Sequence, residues 1–405
     1  MATISKTAGI TGSVSVAQSP AEILPDSLVI DMREEISMAD EDESQFTTYT
    51  MKLKHSEATR EKINWREKDY FPRLSAVQTA YTAISTTGTI VVTAGQGSRF
   101  RKGDVVRNMA GKDAFLVTSV STDTLSVTHI GAATAAAGSV GDTLLIAGNA
   151  SEQGADYPDT AVLTATLGYN YTQIFRHGCV FSRTARAVNY YGQSEPAQEE
   201  ALKGIEQKRA IEYTGFWGAR GLIAPGPITA GGGEPLGLAG GLVEFIVTNK
   251  VDMSIGGFTV DTVDDFLRNA LQHASTNVVI FCAPIVAQRM SKFNRGGQGT
   301  AWRPSNESVA GLKVDAFMSG VYGYEIPIVV KKDWNDFPST LKQYGGWAFV
   351  VDLNRVEYKT LTGGSTSLLE NRQSPGADKK ASEWLTECTW EIRNEASHGI
   401  MYGVT

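Results

Sequence analysis

The chain has 405 residues, of which 42% are hydrophobic and 20% charged, and its formal net charge is −7. This length supplies two or three cores, the composition excludes a disordered tail, and the acidic balance argues against nucleic-acid binding through a dominant basic face. Three widely separated cysteines, Cys179, Cys282 and Cys388, form no CxxC motif, which speaks against a disulfide scaffold or structural zinc and fits a reducing compartment.

In chain order, residues 1–28 are small and polar and read as an extended arm, followed by a short acidic stretch, 29–45, compatible with a helix. No apolar h-region opens the chain and no run approaches eighteen apolar residues, so neither a signal peptide nor a transmembrane helix is expected. Thr47–Lys54 (TYTMKLK) and Lys62–Glu67 (KINWRE) alternate with period two and are expected as strands. Residues 84–150 are rich in Thr and Val. Short strands at 89–94, 104–108, 114–120, 124–130 and 143–147 predict a small β-barrel or sandwich inserted into a hairpin that resumes over 160–188.

A long helix is expected from about 194 to 217, with Ser194 and Glu195 as candidate caps, Pro196 near its start and Glu199 spaced to pair with Lys203. Its apolar stripe is poor: Ala201, Leu202, Ile205 and Phe216 are expected to pack on a sheet, with Lys203, Glu206 and Lys208 turned away. Residues 222–241 form a Pro/Gly loop. Val263, Phe266, Leu267, Ala270 and Leu271 mark one face of a helix whose start carries Asp261, Asp264 and Asp265. VVIFCAP (278–284) is a buried strand, and a helix follows from Pro284 to 293. Residues 295–306 are expected as a loop, with strands at 312–318, 321–331, 346–352, 355–361 and 385–394, and a polar linker over 369–381. The fold class is α+β.

Each cluster with chemical potential has a plainer explanation. Gly95-Gln-Gly97 and Gly231-Gly-Gly233 lack the rest of a P-loop or dinucleotide motif and read as turns. His177 and Cys179 share a strand face but have no second ligand pair. The Asp261/Asp264/Asp265 trio is explained by a helix start, and Cys282 by burial. Arg295 to Arg303, with Trp302 between, reads as a loop contacting a neighbouring subunit rather than nucleic acid. No catalytic, cofactor or metal site emerges.

The order of parts resembles the major capsid proteins of tailed bacteriophages with the Hong Kong ninety-seven type of fold. The stretches RFRKGDVVRN, DAFLVTSVSTDTLSVTHI, GDTLLIAGNASEQGAD, YNYTQIFR, GGLVEFI and ASHGIMYGV look like the subgroup related to the SU-ten type, which carries a β-rich insertion in its E-loop. The resemblance covers most of the chain. It implies an N-terminal arm (1–46), an E-loop hairpin with peripheral strands (47–83 and 151–188), an inserted β-barrel domain (84–150), a spine helix and peripheral domain (189–240), an axial domain (241–354) and return strands (355–405). It also implies an icosahedral head subunit that forms pentamers and hexamers around double-stranded DNA, with scaffolding, portal or decoration proteins as further partners, no membrane and no cofactor. Inter-subunit contact candidates are Lys54, Glu57 and Arg60 in the E-loop and Arg295, Gln298, Trp302 and Arg303 in the axial loop. The alternative is a virion-associated module that uses the barrel to attach to glycans or host.

Overall fold

The computed structural model describes residues 44–131, 133–154, 163–188, 195–224, 233–295, 302–303, 308–309, 312–313, 315–318, 325–336 and 346–404. Helix α1 (Gln45–Leu53) leads into β1 (His55–Ala58) and β2 (Lys62–Glu67). Six strands follow: β3 (Leu74–Thr79), β4 (Thr87–Val92), β5 (Asp104–Asn108), β6 (Ala114–Ser121), β7 (Thr124–His129) and β8 (Thr143–Asn149). Strands β9 (Thr166–Tyr171) and β10 (Gln173–Ser182) return to α2 (Arg183–Ala187) and the long α3 (Glu195–Trp217). Next come β11 (Gly221–Ile223), β12 (Leu236–Leu238), α4 (Leu242–Phe245), β13 (Lys250–Asp252), α5 (Val260–Leu271), β14 (Val278–Cys282) and α6 (Pro284–Arg295). The remainder is β15 (Trp302–Arg303), β16 (Ser308–Val309), β17 (Leu312–Lys313), β18 (Asp315–Met318), β19 (Glu325–Val330), β20 (Ala348–Asp352), β21 (Val356–Leu361), β22 (Ser367–Leu369), β23 (Lys379–Ile392) and β24 (Gly399–Tyr402).

The chain divides into two compact units, residues 64–169 and residues 1–63 with 170–405. In the smaller unit, β3-β4-β7-β6-β5-β8 close into a barrel. Period-two alternation turns Ile90, Val92, Phe115, Val117, Leu125 and Val127 into its core. Closure leaves no free edge, which suits a module with a short Thr/Val-rich sequence. The barrel begins at Leu74, before the first strand that the sequence suggests. In β3 the inward positions include Ser75 as well as Val77, while Leu74 is exposed, so the strand's hydrophobic alternation is weak.

The larger unit holds two large sheets around one core, with β11-β12 and β16-β17 as separate two-stranded pairs. One sheet runs β1-β21-β23-β10, with β22 also on β23, and the other runs β13-β24-β20-β14-β19-β18-β15. Strand β14 is buried along its whole length and lies between β20 and β19, as expected of an uninterrupted apolar run. Phe46, Phe216, Phe281, Trp334, Phe349 and Trp390 join the elements in one aromatic cluster, with Phe46 and Phe216 ring centres 4.8 Å apart. The cap of α5 is Thr259, whose hydroxyl accepts from Thr262 N in a capping box, so the nearby aspartates are not the cap.

Two expectations are corrected. TYTMKLK is helical, not a strand: Phe46, Thr47, Tyr49 and Thr50 are buried at helical spacing, while Met51 and Leu53, members of the alternating apolar set, are exposed. The buried face of α3 is not the one expected either. Of the four residues expected to pack, Phe216 is buried, Leu202 and Ile205 are half-buried and Ala201 is exposed, whereas the rest of the buried face is Gln207, Ile211, Glu212 and Gly215. Glu206 and Lys208 are exposed, and Lys203 pairs with Glu199 at 3.7 Å and Glu206 at 2.8 Å. Ser194 lies outside the described residues.

The weak stripe of α3 has a physical cause. Two contact positions are glycines that admit aromatic rings. A Cβ on Gly204 would lie 3.1 Å from the Trp384 ring, and one on Gly215 would lie 2.8 Å from Phe46. Two others carry polar groups that find partners inside. Gln207 Nε2 donates to Phe175 O and Thr386 Oγ1, and Glu212 meets Lys331.

Candidate functional site

Three of the inter-subunit candidates, Glu57, Trp302 and Arg303, fall on edge strands. Strand β1 ends one sheet and pairs in parallel with β21, with His55 opposite Tyr358 and Ala58 opposite Leu361. Glu57 is exposed on this strand and Arg60 in the turn after it. Lys54, directly before the strand, is the C-cap of α1 through its backbone N–H, which donates to Thr50 O, while its Nζ donates to Asn354 O at 2.6 Å. Trp302 and Arg303 form β15 at one end of the other sheet, opposite Phe317 and Ala316 of β18. The expected loop 295–306 thus contains a short edge strand. Arg295 closes α6, and Gln298 lies outside the described residues. An edge strand leaves a row of backbone donors and acceptors unpaired, which a neighbouring chain can complete.

The remaining candidate chemistry is absorbed by structure. The amides of Gly95 and Gly97 donate to Asp123 at 3.0 and 2.9 Å and hold its carboxyl below the usual range, so this turn already has its anion. Gly231 and Gly232 lie outside the described residues. His177 Nδ1 bonds Gln207 Oε1 at 2.6 Å and Cys179 Sγ contacts Ser382 Oγ at 3.1 Å. Burial pushes the thiols of Cys282 and Cys388 up to about 12, far from a thiolate nucleophile at neutral pH. Asp265 pairs with Arg268 at 3.1 Å; Asp264 is raised by burial and then by Asp261 and Asp265. Among the described residues no group of three His, Cys, Asp or Glu could hold a metal ion, and no helix is long and apolar enough to cross a membrane.

Sequence reasoning missed the polar knot that docks α1. The Glu212 carboxylate accepts from Phe46 N at 2.8 Å, Thr47 N at 2.7 Å and Thr47 Oγ1 at 2.6 Å, and meets Lys331 Nζ at 3.1 Å. Both charged side chains are buried, at 2% and 0% exposure. A carboxylate over the first amides of a helix satisfies orphan donors and complements the dipole. Nothing local in sequence links residues 119 positions apart, although charges at 212 and 331 within otherwise apolar surroundings are the trace they leave.

A family model described as SU10 major capsid protein matches residues 6–405. No curated protein matches the chain. Among solved structures, the capsid of a native GTA particle is similar with a TM-score of 0.51 and 9% identity, covering 96% of this chain and 100% of that one. A structure from Microbacterium phage Oxtober96 has a TM-score of 0.47 and 10% identity, covering 93% and 96%.

Proposed function

The chain belongs to the SU10 major capsid protein family, and from that membership we propose that its copies assemble as hexamers and pentamers into an icosahedral shell around double-stranded DNA. It is a structural subunit of a phage head, and its place is the virion capsid. The observation that carries the reading is the family match across residues 6–405. The role is structural rather than catalytic. Lys54, Glu57 and Arg60 at and around the edge strand β1, Trp302 and Arg303 of the edge strand β15, Arg295 at the end of α6, and Gln298 are the proposed contacts with adjacent subunits. Open edges support this, because identical copies in a closed shell can complete them. Residues 84–150 belong to the proposed inserted module. Support comes from the two disjoint cores and from the bracketing of the barrel strands by the paired β2 and β9.

Electron microscopy of the purified, concentrated protein tests the reading. Shells, sheets or capsomers are expected. A strictly monomeric compact species at high concentration would overturn it.

A further inference from the structure

Helix α1 runs against its own sequence. Over Gln45–Leu53 (QFTTYTMKL) it carries three threonines, a tyrosine and a phenylalanine, residue types that lose side-chain freedom in a helix and are enriched in strands. No acidic residue occupies its first turn, and Ser44 makes no side-chain cap. Thr48 Oγ1 donates back to Ser44 O at 2.7 Å and Thr50 Oγ1 to Phe46 O at 3.0 Å, bonds that slightly weaken a helix. Nine residues are also too few to hold a helix unaided. Tyr49, Met51 and Leu53 keep the alternation of a strand, and in the helix Met51 and Leu53 are left exposed.

The helix is instead imposed from a distance. The amides of Phe46 and Thr47, which a local cap would take, donate to Glu212, a residue 166 positions after Phe46. Lys331 Nζ meets the same carboxylate at 3.1 Å, and Phe46 and Tyr49 pack on the Phe281 ring. On the other side of α1, Lys54 is already extended, and its carbonyl accepts from Tyr358 N at 3.1 Å. The ladder of β1 thus begins at the residue where the helix stops.

We propose that α1 is a conditional helix: it keeps its turns only while docked on Glu212 and Lys331, and once undocked it opens into an extended continuation of β1. Local preference and tertiary packing disagree here, a conflict that a sequence with a single state to specify avoids. The buried pair is a poor source of stability, because desolvation of two charges offsets their attraction, and a better device for fixing one conformation. Eight residue steps from Gln45 to Leu53 span about 12 Å as helix and about 26 Å extended. The segment is therefore an extensible link ahead of β1, and the Glu212–Lys331 pair is its catch. The link works within one subunit and needs no neighbour.

The test places spin labels at Gln45 and Leu53 of the full, unassembled chain and reads their separation by pulsed electron resonance. The native chain should give one short separation. Glu212→Leu with Lys331→Met removes the catch without leaving a buried charge. It should move most molecules to a separation longer by about 14 Å, while near-ultraviolet dichroism keeps its native form. Adding Thr48→Ala and Met51→Ala, which raises helix propensity and breaks the alternation, should bring the short separation back; no return counts against the switch. A short separation that survives loss of the catch would overturn the proposal. So would a broad distribution centred between the two values, the mark of simple fraying. If the double variant does not fold, Glu212→Gln keeps the shape and one acceptor and should show the long separation in a minority of molecules; its absence there would overturn the proposal equally.

Discussion

Gly215 lies inside a helix, where glycine costs about 1 kcal/mol relative to alanine. Its missing side chain leaves space for Phe46, 2.8 Å from where a Cβ would sit, and for the Trp390 ring at 3.2 Å. Both rings belong to a close-packed aromatic cluster, so overpacking of about 1–3 kcal/mol outweighs the propensity gain. Gly215→Ala is expected to destabilise the chain, and Gly204→Ala, with Trp384 at 3.1 Å, to be nearly neutral. Urea denaturation of the unassembled protein checks this order. At the neighbouring knot, Glu212→Ala removes the carboxylate that faces Lys331, itself at 0% exposure, and takes the acceptor from Phe46 N and Thr47 N. A loss of about 3–5 kcal/mol is expected. Glu212→Leu combined with Lys331→Met should recover much of it, since an apolar pair of similar volume needs no compensating charge. A double-mutant cycle reads the coupling.

Among the elements, the ribbon of β2 and β9 is the natural place to cut. Thr166 Oγ1 donates to Glu67 O at 3.4 Å, so the two strands are still side by side where the chain enters and leaves the barrel region. Replacing residues 68–165 with an Asn-Gly turn should leave the larger unit folded, because its core contains no barrel residue. Near-ultraviolet dichroism of the shortened chain should keep its tertiary signature; its loss would show that the two cores depend on each other. Elements were legible in the sequence where one periodicity dominated. The sequence marked α5 through Val263, Phe266, Leu267, Ala270 and Leu271, all of which are buried, and β14 through its unbroken apolar run. Residues 46–53 satisfied both periods, and tertiary packing of Phe46 and Tyr49 decided for helix. The buried face of α3 was hidden because glycines and a buried glutamine and glutamate occupy it. Glu57 and Arg303 were legible as charges, but the positions of their strands β1 and β15 at the ends of two sheets depend on pairings between separate strands.

For the molecule as a whole, the response to acid turns on His398. Its ring is fully buried, with Nδ1 accepting from Asp352 N at 3.1 Å and Nε2 donating to Arg393 O at 3.2 Å. Burial lowers its pKa from 6.5 to about 4, opposed in part by Asp352 and Glu395 and reinforced by Arg355. The unfolded chain takes up the proton first as pH falls. The contribution is therefore complete above the unfolded value near 6.5 and is lost as pH drops toward 4, on the order of 3 kcal/mol in all. Glu395 acts in a lower window. Burial raises its carboxyl, but bonds from Thr248 Oγ1 and the Val247 and Thr248 amides outweigh that and hold it below the usual range. His398→Gln, which keeps an acceptor and a donor, should flatten the stability profile between pH 6.5 and 4 as read by urea midpoints. The topology also sets a timetable. The barrel strands β3 to β8 are consecutive, so the barrel needs no partner strand from later in the chain. Strand β1, by contrast, waits for a partner about 300 residues later, with His55 meeting Thr360 at a separation of 305, and β24 must enter between β13 and β20. Both sheets, with the edges proposed to join neighbours, are completed only after residues 379–402 are made. A nascent chain thus cannot offer the finished β1 edge before β21 is made, and the order of synthesis itself delays association through that edge.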